Sequence, residues 1–318
     1  MAIYSKLTYT LLAIAFCNLT TACENPLYED ENEYQETETP KGDMVRITFG
    51  NFKTNQKSFS QAQGNSPEYE AQQSRTSEAT PISELCTRIN FALFDYKTGE
   101  RIKTLNQTTD DHSFGKITLN LSKGKYAVLV IAHSGDGNAT LSNPEKVTFK
   151  DNKITDTFYY YNVIDVEEDS NYDMTLKRAV AKFRLVVEDH TPSDVKVMKF
   201  YYTGGSSTFN AITGYGCVNS KQTELRDVTE SAYNEGSYYD IYTFPHNSEE
   251  NKKLKVEISA MSSTSSSTIL FSKTISDVAI SKNKYICYKG NFFNVVPEND
   301  QEFTLSTTDV WQYEEFKY

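Results

Sequence analysis

The first residue with distinctive chemistry is Cys23. It follows Thr20-Thr21-Ala22 directly. A cysteine behind small residues is where the thiol can take a diacylglycerol thioether and an export leader can be cut just before it. Cleavage between Ala22 and Cys23 then leaves a lipid-bearing N-terminus. Thr20 stands where Leu or Val is usual, and Leu19 comes one place early. The alternative is a plain secretory leader cut near Ala22, with Cys23 an ordinary residue. Cys17 is the poorer acceptor, because the large Phe16 precedes it.

Elsewhere the residue types that do chemistry are sparse or badly spaced. The histidines are His112, His133, His190 and His246. None belongs to a His-Glu-x-x-His pair, and none has a cysteine or a second histidine a few residues away, so no metal is expected. His133-Ser134-Gly135-Asp136 is too local for a nucleophilic triad, whose members come from separate segments. Asp136-Gly137-Asn138 is too short for a calcium loop. Gly204-Gly205-Ser206-Ser207 lacks the lysine of a phosphate loop and reads as a turn. Glu167-Glu168-Asp169 places its carboxylates side by side, where they cannot flank a glycosidic bond. Tyr159-Tyr160-Tyr161 reads either as strand packing or as an aromatic platform for a sugar. No catalytic residues, no enzyme activity and no cofactor are expected. Cys86, Cys217 and Cys287 share no metal-like spacing. A Cys217–Cys287 disulfide and three separate thiols both remain open, since export permits disulfides.

These groups need elements to hold them. Lys6 is the only charge before Glu24, and the apolar run Leu11–Phe16 between them is far short of the roughly 20 residues of a membrane span. Residues 1–22 therefore read as an export leader. Residues 23–42 are an acidic tether carrying Glu24, Glu29, Asp30, Glu31, Glu33, Glu36 and Glu38. Like charges at that density repel and leave little apolar surface to bury. The net charge of -11 over 318 residues, without a basic patch, argues against nucleic acid and anionic headgroups as partners.

The 22 Tyr and 18 Phe, with abundant Thr, Val and Ile, suit pleated half-buried surfaces, so the chain is expected to be all-β. Alternation gives a first strand with Val45, Ile47 and Phe49 on one face. A polar stretch from about residue 53 to 80 follows, with a helical turn near 68–73. Further strands are expected at 89–94, 102–105, 117–121, 126–132, 147–149 and 158–166. The run 126–132 is apolar on both faces and should be central. An acidic joint at 167–171 divides the chain into domains 43–170 and 171–318. Beyond it one long strand is expected at 174–187. Others follow at 195–202, 238–244, 254–260, 268–275, 284–290 and 302–305. The serine-rich run 262–267 reads as a hairpin tip. The final alternating run 309–318 is either the last strand of the second domain or a strand offered to a neighbour; its closeness to the preceding strand favours the first. Antiparallel β-sandwiches fit this spacing.

Several of these segments carry a resemblance. Arg88-Ile89-Asn90-Phe91-Ala92-Leu93-Phe94-Asp95, Leu121-Ser122-Lys123-Gly124-Lys125-Tyr126 and Ala132-His133-Ser134 resemble the N-terminal domain of the FimB-type fimbrial subunit family of Bacteroidota. Leu176-Lys177-Arg178-Ala179-Val180-Ala181-Lys182-Phe183 resembles the opening of that family's second domain. Phe200–Thr208 and Tyr242-Thr243-Phe244-Pro245 are similar to it as well. The resemblance spans most of residues 43 to 295. It implies two tandem transthyretin-like β-sandwich domains and a surface-exposed, lipid-anchored subunit at the base or tip of a fimbria. It implies other fimbrial subunits as partners through strand addition, the outer membrane through the lipid, and host or bacterial surface ligands. The strand carrying Val45, Ile47 and Phe49 is the one exchanged in this family, and Arg75 is the candidate protease site behind it. The acidic tract after Cys23 resembles the signal that sends Bacteroidota lipoproteins to the cell exterior. The competing reading is a surface lipoprotein that binds glycans.

Overall fold

A computed structural model describes residues 44–56, 79–247 and 253–294, together with the backbones of 306–308 and 312–317. Cys23, Ala22, Arg75, the tether, the turn expected near 68–73 and the strand expected at 302–305 lie outside the described residues. Gly42–Tyr318 forms a single unit by its contacts.

The first part of the chain builds two sheets. Its strands are β1 (Met44–Thr54), β2 (Thr80–Pro81), β3 (Arg88–Asp95), β4 (Arg101–Thr108), β5 (Ile117–Ser122), β6 (Gly124–His133), β7 (Phe158–Val166), β8 (Ser170–Thr175) and β9 (Lys177–Arg178). One sheet runs β4-β3-β6-β7-β9 and is antiparallel. The other is centred on β1, with β2 and β5 antiparallel to it and β8 parallel. The core between them holds Ile47, Phe49, Ile89, Phe91, Leu93, Val128, Val130 and Phe158. β6 is buried from Tyr126 to His133 and lies third of five, as its two-faced apolar run predicts. Its second face meets a separate cluster.

The remaining strands are β10 (Ala181–Val187), β11 (Val197–Thr203), β12 (Phe209–Asn210), β13 (Tyr215–Gly216), β14 (Lys221–Asp227), β15 (Ser237–Thr243), β16 (Leu254–Met261), β17 (Ile269–Val278), β18 (Lys284–Gly290), β19 (Ser306–Thr308) and β20 (Gln312–Lys317). β12 and β13 pair as a separate hairpin, and the others form sheets β15-β10-β18-β20-β19 and β14-β11-β16-β17. Phe183, Leu185, Phe200, Tyr202, Val256, Ile258 and Ile286 fill the space between these sheets. β20 pairs with β18, so the alternating C-terminal run is a strand of this sheet, as its position favours. The hairpin tip at 262–267 joins β16 to β17.

A third cluster joins the two pairs of sheets. Ala92, Phe94, Leu129 and Ile131 from the outer face of the β3-β6 sheet meet Val147, Phe149, Phe209, Phe244, Tyr285 and Cys287. Phe244 lies 5.4 Å from Phe149 and 5.0 Å from Phe209, centroid to centroid.

Two expectations are corrected, and one strand was not expected. The run 174–187 is not one strand. β8 pairs with β1, β9 touches β7, and β10 enters another sheet, with buried Ala179 and Val180 at the crossover. Residues 147–149 make isolated bridges, Val147 to Phe209 and Thr148 to Thr140, because the segment crosses the seam and joins no ladder. β14 had no sequence signal: its buried face carries Gln222 and Glu224, so polar residues fill the positions where apolar ones mark a strand.

Candidate functional site

β1 is the element whose position matters most. Val45, Ile47, Phe49 and Phe52 all point into the first core. The Phe49 ring lies 5.0 Å from Phe91 and stacks on Tyr172 at 5.6 Å. Both edges of the strand are paired: β5 opposes Met44 to Phe49, and β8 runs beside Ile47 to Lys53. Side chains reinforce this frame. Asp169 accepts the Arg46 N–H at 2.7 Å, and Asn51 donates to Asp173 at 2.7 Å. The Lys53 carbonyl accepts the Leu176 N–H at 2.8 Å. Gln56 accepts the Arg178 N–H. A bulge between Gly50 and Lys53, with Asn51 at φ 49°, bends the strand and keeps Phe52 inward. On the solvent side the bulge opens a polar cleft of about 340 Å³, lined by Thr48, Gly50, Asn51, Lys116, Asn171 and Asp173.

Burying one large apolar side chain contributes roughly 1.5–3 kcal/mol. Four on β1 give roughly 6–12 kcal/mol, comparable to the whole stability of a domain. Removing this strand would strip the core and leave ladder groups on both β5 and β8 unpaired. Only another strand with the same alternation could restore both, which is the physical condition for strand exchange. The sequence identified β1 and its buried face. It did not identify β8 as a parallel partner, because the intervening chain folds as a complete second sheet.

The remaining reactive types have structural placements. His133 is buried; its Nδ1 accepts the Gly135 N–H at 3.0 Å, and its Nε2 lies 3.0 Å from the Asn90 side-chain oxygen. That pairing fits the neutral imidazole donating through Nε2. Burial, aided by the Arg88 charge, lowers its pKa to about 4. Asn90 extends the network by donating to Asn106 and Asn138. Tyr159 packs on Phe209 at 4.8 Å, Tyr160 on the first core and Tyr161 on the seam, so the tyrosine run packs a strand. A Cβ on Gly204 would overlap the Lys253 carbonyl, and one on Gly205 the Thr243 hydroxyl, so these glycines serve close chain approach. Cys86, Cys217 and Cys287 are free thiols, without the Cys217–Cys287 bond. Among the described residues no cluster of three or more His, Cys, Asp or Glu could hold a metal, and no helix is long and apolar enough to cross a membrane.

Buried ion pairs organise the second half and its junction with the first. Arg184 makes a bidentate pair with Asp240 at 2.6 and 2.7 Å, and Lys182 lies 3.0 Å from the same carboxylate. Burial lowers the Lys182 pKa against the pull of Asp240. For Arg184, burial is outweighed by the Asp240 hydrogen bonds and charge, and the guanidinium is held above its ordinary range. Arg178 is paired with Asp156 at 2.7 Å, donates to Asn283 at 2.7 Å and lies over Phe158. Asp189 accepts the N–H groups of Phe292, Phe293 and Asn294 at 2.7 to 2.8 Å, directing the chain that leaves β18.

Residues 36–312 match the family model described as fimbrillin-A associated anchor proteins Mfa1 and Mfa2. No curated protein sequence matches the chain. Among solved structures, a candidate adhesin from Bacteroides ovatus is 12% identical, with a TM-score of 0.47, covering 72% of this chain and 77% of that one. The fimbrial anchor protein Mfa2 from Porphyromonas gingivalis is 11% identical, with a TM-score of 0.40 and coverage of 68% and 78%. The tip fimbrial protein Mfa3 from the same organism, with a C-terminal truncation, is 7% identical, with a TM-score of 0.36 and coverage of 78% and 94%.

Proposed function

This chain belongs to the fimbrillin-A associated anchor family, and on that premise we propose that it is a fimbrial subunit of the cell surface, at the base or as an accessory or tip component. The family match over most of the chain carries the reading. In it, Cys23 is lipidated and holds the protein to the outer membrane, and the acidic tract 23–42 spaces the folded part from the lipid. The chain through β9 and the chain from β10 act as two tandem transthyretin-like sandwiches, since β8 and β9 pair with strands of the first. Neighbouring subunits join by strand addition, with main-chain hydrogen bonds supplying affinity and alternate side chains filling pockets.

A base anchor must keep its first strand, because an emptied groove would accept a further subunit. The pairing of β1 on both edges, with Val45, Ile47 and Phe49 buried, supports a retained strand. Intact mass of the protein taken from its native cell surface tests this. A mass running from diacylated Cys23 to Tyr318 is expected for an anchor. A lipid-free mass beginning after Arg75 would overturn the anchor assignment and point to a polymerising or tip subunit.

A further inference from the structure

We infer that the seam between the two pairs of sheets carries a binding site for a carboxylated sugar, formed by Lys177 and Lys282 beside Tyr159 and Tyr215. The Lys282 ammonium lies over the Tyr215 ring, 3.8 Å from its centroid. Lys177 on β9 is the cross-strand partner of Tyr159 on β7, so the two side chains rise on one face. Gly214, at φ 75°, closes the group: a Cβ there would overlap the Tyr159 hydroxyl and come within 3.1 Å of the Lys282 nitrogen. The site thus draws on β7, β9, the β12–β13 hairpin and the turn before β18.

Among the described residues its charge is uncompensated. Neither lysine has a carboxylate within ion-pair distance among the described residues, although the chain holds 43 acidic residues against 32 lysines and arginines. Burial lowers the Lys282 pKa, and the Lys177 charge lowers it further. A half-buried cation beside a second cation is relieved by an anion placed between them.

The surroundings favour a compact ring over a peptide. β9 and β13 are two residues long each, too short to receive an extended strand through main-chain hydrogen bonds. The tyrosine rings and Ile212, which is 50% exposed in the adjoining turn, offer apolar surface to sugar C–H groups. The site is independent of the fimbrial assignment, since it needs no neighbouring subunit.

Isothermal titration of the full chain with trigalacturonate at low salt tests it, alongside the neutral galactose trisaccharide and triglutamate. Trigalacturonate should bind saturably and the neutral sugar should not. Lys177→Gln and Lys282→Gln should each weaken binding about fivefold, and added salt should weaken it further. Lys177 is exposed, so its variant is expected to fold and keeps the test decisive. No saturable binding, or binding untouched by both substitutions, overturns the site. Equal affinity for triglutamate overturns its assignment to sugars.

Discussion

Replacing Phe49 with alanine probes the central claim about β1. The ring is fully buried, contacts Phe91 and Tyr172, and sits on a strand held between β5 and β8. Neighbours fixed in two ladders cannot collapse into the space it leaves. The loss should therefore approach the full cost of a buried Phe→Ala change, about 3–5 kcal/mol. Thr48, the adjacent residue, points to the solvent side and makes one hydroxyl contact, with Thr118 at 3.2 Å. Thr48→Ala should stay within about 0.5 kcal/mol. With a urea slope of roughly 2–3 kcal/mol per molar, the Phe49 variant should lose roughly 1–2.5 M in midpoint, while the Thr48 variant barely moves. Urea unfolding followed by far-UV circular dichroism measures both. Equal midpoints for the two variants would refute the placement of β1 in the core, and with it the argument that its removal creates a groove.

Asp240→Asn leaves Lys182 and Arg184 buried without their shared anion, and thermal unfolding should report a loss of about 3–5 kcal/mol. His133 should remain neutral at pH 5, which its imidazole ¹³C and ¹⁵N shifts can report. Its folded pKa of about 4 lies below the unfolded value near 6.5, so the unfolded chain takes up the proton first. Its contribution to stability should therefore fall as pH drops from about 6.5, levelling off below about 4 at a loss of roughly 3 kcal/mol. A His133→Gln variant should lack that component when urea midpoints are compared across the same window. Asp189→Asn weakens three charge-assisted acceptor contacts to Phe292, Phe293 and Asn294, and hydrogen exchange at those amides should accelerate while the amides of β3 keep their protection.

Local pattern was enough for much of the architecture. Residues of one strand face share a period of two, so Val45, Ile47 and Phe49 declared a buried face, and the run 126–132 declared a central strand. The same rule failed where buried positions are polar. Gln222 and Glu224 hid β14, and Lys182 and Arg184 are buried on a face where their ionic partner, Asp240, lies more than fifty residues away. Short-range spacing carries no record of such pairs.

Alternation also runs through a change of sheet. Residues 174–187 keep a strand-like sequence while the chain passes from β8 to β9 to β10, because each piece satisfies its own ladder. The sequence by itself therefore determined the β class, the inward face of the first strand and the family resemblance. Tertiary structure alone decided that β8 lies parallel to β1, that Phe149, Phe209 and Phe244 build a shared seam, that Lys177 stands across from Tyr159 and that Lys282 lies over Tyr215. These depend on long-range packing, in which residues far apart in the chain gain stability only after the sheets between them have formed.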